Sequence, residues 1–186
     1  MKKLLIAIMA IFVLSVNSAQ ASNVNSISND SKVLAALNVL ERIGSNDVIS
    51  RLEKSSTQVI FYDLTLISYS YSKHYAIAST DENGNNVILI NEKFRNSPKE
   101  EIACLIAHES VHQLSQATLD EEVRATTTEA QTWIKLKDSV NCATSDDLMV
   151  RLNKLAMMYN ASTPSQNLIK ASIMGNSFYQ TQLAMN

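Results

Sequence analysis

Residues Ile102–Ala125 read IACLIAHESVHQLSQATLDEEVRA. Two of the chain's three histidines fall in this stretch. They are His108 and His112, with Glu109 directly after the first. On a helix, residues i and i+4 share a face, so both imidazoles can point at one place. Two imidazoles placed this way fill two corners of a tetrahedral zinc site. Glu109 falls about 100° round the helix from His108, beside such an ion rather than beneath it. A carboxylate there can take a proton from an activated water and pass it to a leaving group. This is the chemistry behind the H-E-x-x-H spacing. The competing reading is a helix surface that carries two histidines by chance. The flanks weigh against it. Ile102, Leu105, Ile106 and Leu114 are apolar, and Ser110 and Val111 are uncharged, which suits a core helix.

Upstream, Ser97-Pro98-Lys99-Glu100 has the form of a helix start. Ser97 can cap, Pro98 suits the first helical position and Glu100 can complete a capping box. A helix is therefore predicted from Pro98 to about Leu114, with the histidines near its C-terminal end. Asp120 is the expected cap of the next helix, Glu121 to about Lys137. Asp147–Tyr159 reads as another, and Thr163-Pro164-Ser165-Gln166 opens a last one. Before the histidine helix, QVIFYDLTLISYSY from Gln58 is rich in β-branched and aromatic residues, enough for a strand or two. HYAIAST and NVILIN are two further strands, and the Asn-Gly pair between them signals a hairpin. Nearer the N-terminus, Val33, Leu34, Leu37, Leu40 and Ile43 recur at helical spacing up to Gly44. Asp47–Lys54 suits a short second helix. The expected fold is α+β: a helical N-terminal part, a small antiparallel sheet, then a mainly helical C-terminal half carrying the histidines.

The beginning of the chain looks like an export signal. Lys2 and Lys3 precede the apolar run Leu4–Val16, and Ala19-Gln20-Ala21 offers a cleavage site. The run is too short to span a bilayer, which needs about 20 apolar residues. Residues 1–21 are read as a signal peptide and 22–186 as a single domain, periplasmic or secreted. Of the 16 basic residues two lie in that leader, so 14 remain against 18 acidic ones, a net charge of −4. That balance argues against nucleic acid or an anionic membrane as partner. Cys104 and Cys142 are the only cysteines. In an exported protein they are read first as a disulfide, next as buried thiols, and last, for Cys104, as a metal ligand one turn before His108.

The run LIAHESVHQL, continued forward by EEVRATTTEAQTW and backward by NVILINEKFRNSPKEEIACLIAHE, resembles a zincin metallopeptidase. The likeness is to small, exported, gluzincin-like bacterial proteins and covers Asn86–Trp133. It implies a zincin-like fold, Zn2+ as cofactor, His108 and His112 as ligands, and Glu109 as general base. No third histidine follows His112 in the metzincin manner, so a glutamate is the expected third ligand. With two antiparallel helices joined around Ala117, the residue facing His112 falls near position 122. Glu122 fits best, and Glu122–Ala125 also matches the E-x-x-A pattern of the families resembled. Glu129 shares its face but lies two turns on, and Glu121 points about 100° away. For all three the plain alternative is a solvated acidic first turn.

The expected activity is zinc-dependent hydrolysis of a peptide or protein substrate, with NVILIN as the edge strand that the peptide joins. A cell-wall peptide amidase and a non-catalytic metal- or protein-binding domain remain open. His74 reads as a surface histidine. Tyr75, Tyr159 and Tyr179 could donate to a tetrahedral intermediate but suit packing better, as do Trp133 and the methionines Met157, Met158, Met174 and Met185.

Overall fold

The computed structural model describes residues 24–112, 118–140, 146–161, 166–176 and 179. The expected signal peptide, Cys142, the joint at Ala117, the last helix's expected cap and Met185 lie outside these residues. Six helices and three strands are described: α1 (Ser31–Arg42), α2 (Asn46–Lys54), β1 (Gln58–Tyr62), β2 (Ala76–Thr80), β3 (Asn86–Asn91), α3 (Lys99–Glu109), α4 (Leu119–Leu136), α5 (Asp147–Asn160) and α6 (Gln166–Met174). The α+β class holds. None of the described helices is long and apolar enough to cross a membrane.

Helix α3 is the centre of the molecule. Every residue from Glu100 to Glu109 is buried, so it has no solvent face. Helices α1, α4 and α5 and strands β2 and β3 all pack against it. Ile102, Leu105 and Ile106 join Val33, Leu37 and Leu40 of α1, Val59, Ile88 and Ile90 of the sheet, and Trp133 of α4 in one core. Trp133 is thus a packing residue, with its indole N–H donating to Asn153 Oδ1 at 2.8 Å.

The sheet corrects two expectations. Its order is β1-β3-β2, with β1 parallel and β2 antiparallel to β3, so it is mixed rather than antiparallel. NVILIN is β3, the middle strand, and has no free edge for a peptide. Its continuous apolar run, Val87–Ile90, does not by itself say which strands flank it, which is why the pattern alone misplaced it. The hairpin was correctly read: β2 and β3 are joined over Asp81–Asn85, where Gly84 takes a φ of 81° and Asp81 accepts from the amides of Asn83 and Asn85, each at 2.8 Å. Between Tyr62 and Ala76 the chain forms two 3-10 turns rather than a second strand.

Helix ends also differ from expectation. Pro98 is extended and itself sits at the cap of α3. Ser97 is one step too early to cap; its hydroxyl instead donates to Asp146 Oδ2 at 2.8 Å. Thr118, not Asp120, caps α4, accepting from the Glu121 amide at 3.2 Å. Most consequential, α3 stops at Glu109 instead of running to Leu114.

Candidate metal centre

The stop at Glu109 places His112 in a tight turn. The Val111 amide bonds to His108 O at 3.0 Å and the His112 amide to Glu109 O at 3.1 Å, i→i+3 closures rather than helical ones. Ser110 pins this turn. Its hydroxyl donates to Ala107 O at 2.8 Å and accepts from Arg51 Nη2 at 3.1 Å, a tie from α2. The tightened turn still keeps the imidazoles side by side, with ring centroids 5.2 Å apart.

Helix α4 supplies carboxylates to both rings. His108 Nδ1–H donates to Glu129 Oε2 at 3.0 Å, and His112 Nδ1–H to Glu121 Oε1 at 3.2 Å. In the neutral rings both Nε2 atoms are thereby left with lone pairs, and they face Glu122. Its Oε2 lies 3.8 Å from His108 Nε2, and its Oε1 lies 3.6 Å from His112 Nε2. Those separations are long for hydrogen bonds but close to the edge of a zinc tetrahedron, about 3.3–3.6 Å for ligand atoms ~2.0–2.2 Å from the ion. Glu122 Oε2 is buried and has no hydrogen-bond partner. A buried acceptor without a donor is costly, and a cation would satisfy it. His108, His112 and Glu122 together form a buried donor group that can hold a metal ion.

The three glutamates weighed from the sequence thus separate cleanly. Glu122 joins the donor group, while Glu121 and Glu129 each orient one histidine. Partners of this kind fix the tautomer and ring angle of a ligand. Glu129 is itself held by Arg151, which grips both of its oxygens; Nη2 reaches Oε2 at 2.8 Å. The Arg151 guanidinium also lies 4.8 Å over the Tyr75 ring. Nothing in the sequence marked Arg151, because its role depends on α5 packing against α4. Glu129 was marked by its shared face with Glu122.

The electrostatics follow burial and neighbours. Burial pushes the Glu109 carboxyl up to about 7, with His108 pulling it down and Glu122 and Glu129 adding like charge. It also accepts a hydrogen bond from the Ala78 backbone of β2. Burial raises Glu122 as well. Glu129 is buried too, yet the Arg151 charge and the His108 hydrogen bond bring it down to about 2. Burial opposes charge on His108, but its bond to Glu129 and the surrounding carboxylates leave its pKa raised. His112 falls to about 4 through burial and the charge of His108.

Other marked residues sort by position. Cys104 is a fully buried thiol outside the donor group, pushed well up by burial. Its expected bond to Cys142 falls on an undescribed residue. Tyr159 hydrogen-bonds Gln131 at 2.7 Å, away from the histidines. Tyr75, Tyr179 and His74 do line a cavity with His108 and Glu109. No family model matches the chain, and no curated protein or solved structure matches it either.

Proposed function

We propose that this protein is a zinc-dependent peptidase, in which His108, His112 and Glu122 hold the ion and Glu109 is the general base. The observation that carries this reading is the approach of two imidazole Nε2 atoms to the two oxygens of the buried Glu122 carboxylate, of which Oε2 has no hydrogen-bond partner. Two nitrogens and one oxygen make the donor set of a catalytic zinc site, which keeps one position open. A zinc ion bound there supplies Lewis acidity toward a carbonyl and a water that ionises near neutral pH.

The protein's own residues would do the rest. Glu109 lies beside the donor group, not in it, so its carboxylate is free to accept a proton from the attacking water and return it to the departing amine. Its bond to the Ala78 amide holds that carboxylate at the margin of the sheet. Glu121 and Glu129 keep the two rings aimed, and Arg151 keeps Glu129 charged.

The test is Glu109→Gln against the zinc-loaded parent, with casein and mixed peptides as substrates. The amide keeps the shape but cannot take the proton. Zinc content is expected to stay at one per chain while hydrolysis falls roughly 10²–10⁴-fold, the usual worth of a general base. Parental turnover in that variant, or a parent that binds zinc and cleaves no peptide, overturns the reading.

A further inference from the structure

The two histidines are held in different ways. His108 lies inside α3, and its ring is aimed by Glu129, which Arg151 grips from α5. His112 lies beyond the last residue of α3. Glu121 aims its ring. Its backbone, however, closes onto Glu109 O by an i→i+3 bond at 3.1 Å rather than by a helical one. Donor atoms of a metal site have to be held within about 0.5 Å of their working positions. The ligand on the weaker support therefore needs a further hold.

That hold comes from α2. Val48, Ile49 and Leu52 seat this helix in the main core. From it Arg51 reaches Ser110, two residues before His112. Arg51 Nε and Nη2 lie 3.3 and 3.1 Å from Ser110 Oγ, so one edge of the guanidinium closes on a single oxygen. Ser110 is 2% exposed. Its own hydroxyl proton goes to Ala107 O at 2.8 Å, so the oxygen presents its lone pairs to Arg51. Arg51 Nη1 bonds Asp47 Oδ2 at 2.8 Å, one turn back in α2, which fixes the other side of the planar group. Leu52 and Ser55 also line a cavity of about 450 Å³ together with Glu109, Ser110 and His112, so α2 stands directly beside the donor group.

We infer that Arg51 is a positioning residue for the metal centre: through Ser110 it fixes the turn that carries His112, and the grip on the ion depends on a helix that supplies no ligand. This rests on the metal centre proposed above. An arginine thus stands behind each histidine. Arg151 acts through the partner of the His108 ring, and Arg51 acts through the backbone that bears His112. Losing the first loosens a ring on a fixed helix. Losing the second lets the chain itself shift, and the imidazole moves with it. A lysine cannot replace Arg51, because one ammonium does not close an edge on Ser110 and hold Asp47 at once.

The test is a double-mutant cycle read in zinc affinity. Metal-free parent, Arg51→Met, Ser110→Ala and the double variant are titrated with zinc against a chelator of known affinity. Each single change is expected to weaken binding roughly 10–100-fold, the usual range for a residue that orients a ligand. The double variant is expected to bind within about threefold of Arg51→Met, because both changes remove the same tie. Asp47→Ala leaves the Ser110 edge in place and is expected to stay within about threefold of the parent, since exposed ion pairs contribute little. Parental affinity in Arg51→Met, or losses that multiply in the double variant, overturn the inference and leave the metal centre standing. A lower urea midpoint in the metal-free single variants with zinc affinity unchanged makes the tie a matter of stability alone and overturns it too. A parent that takes up no zinc overturns the metal centre, and the inference falls with it.

Discussion

Helix α3 buries acid at both ends, and the two ends solve the problem differently. At the N-terminal end Glu101 is fully buried beside Asp146. Burial first, then the Asp146 charge, pushes its carboxyl up to about 8. It keeps a proton, although neither of its oxygens has a hydrogen-bond partner among the described residues. At the C-terminal end Glu109, Glu121, Glu122 and Glu129 are all buried within one cluster. There Arg151 and the two histidines serve Glu129 and Glu121, and Glu122 is left facing two lone pairs. A carboxyl group buried for structure can settle for a proton. One aimed at two imidazole nitrogens is arranged for a cation.

That contrast can be broken most decisively at the donor group. His108→Ala, His112→Ala and Glu122→Ala each remove one of three ligands. Zinc affinity is expected to fall by orders of magnitude in each, and added zinc should raise the melting temperature of the parent but not of these variants. Stoichiometric zinc in Glu122→Ala by titration would show that the converging geometry is not a site. Next in size is Arg151→Met. It leaves the Glu129 carboxylate buried without its cation, and removing one partner of a buried pair costs about 3–5 kcal/mol. Urea denaturation of the metal-free protein measures it, and an unchanged midpoint would rule out the pairing as a stabilising element.

Glu129→Gln should act more gently. The amide still occupies the space but orients His108 less firmly, for an expected 10–100-fold loss of zinc affinity with the fold intact. A loss as large as that of Glu122→Ala would make Glu129 a ligand. A pH-dependent effect belongs to the other end of α3. Glu101 holds its proton in the folded state up to about pH 8, whereas an unfolded carboxyl releases it near 4.5. Between those values the folded state binds the extra proton, so the parent loses stability as pH rises. Glu101→Gln cannot release a proton. It should gain on the parent as pH rises from 4.5 to 8, by at most about 1.4 kcal/mol for each pH unit. A constant difference across that range would place the Glu101 proton elsewhere.

How much of this was legible depends on whether the signal was local. The H-E-x-x-H spacing, the Asn-Gly hairpin and the helical periodicities are statements about near neighbours, and the elements they predict appear, with helix ends shifted by a few residues. Glu122 was legible too, because helix periodicity fixes which acids of α4 share a face. The failures are non-local. Whether NVILIN lies in the middle or at an edge depends on β1, far off in the chain, and a parallel partner leaves no mark on it. The end of α3 at Glu109 depends on Arg51 reaching Ser110 from α2. The grip of Arg151 on Glu129 needs α5 in place.

The mixed sheet also sets an order of assembly. β2 and β3 are joined by a short turn whose Gly84 already favours the left-handed bend. Closing that loop costs little chain entropy. Pairing β1 with β3 closes a far longer one, since the intervening chain contains the 3-10 turns and β2 itself. The hairpin is therefore the fast, local event, and docking of β1, with the Ile27 carbonyl and Ser28 hydroxyl that bond to Val59, is the slow, non-local one. Until that docking, β3 has one unsatisfied side. For that interval the sheet displays two open edges rather than one, and strand exchange between chains competes with folding when protein concentration is high.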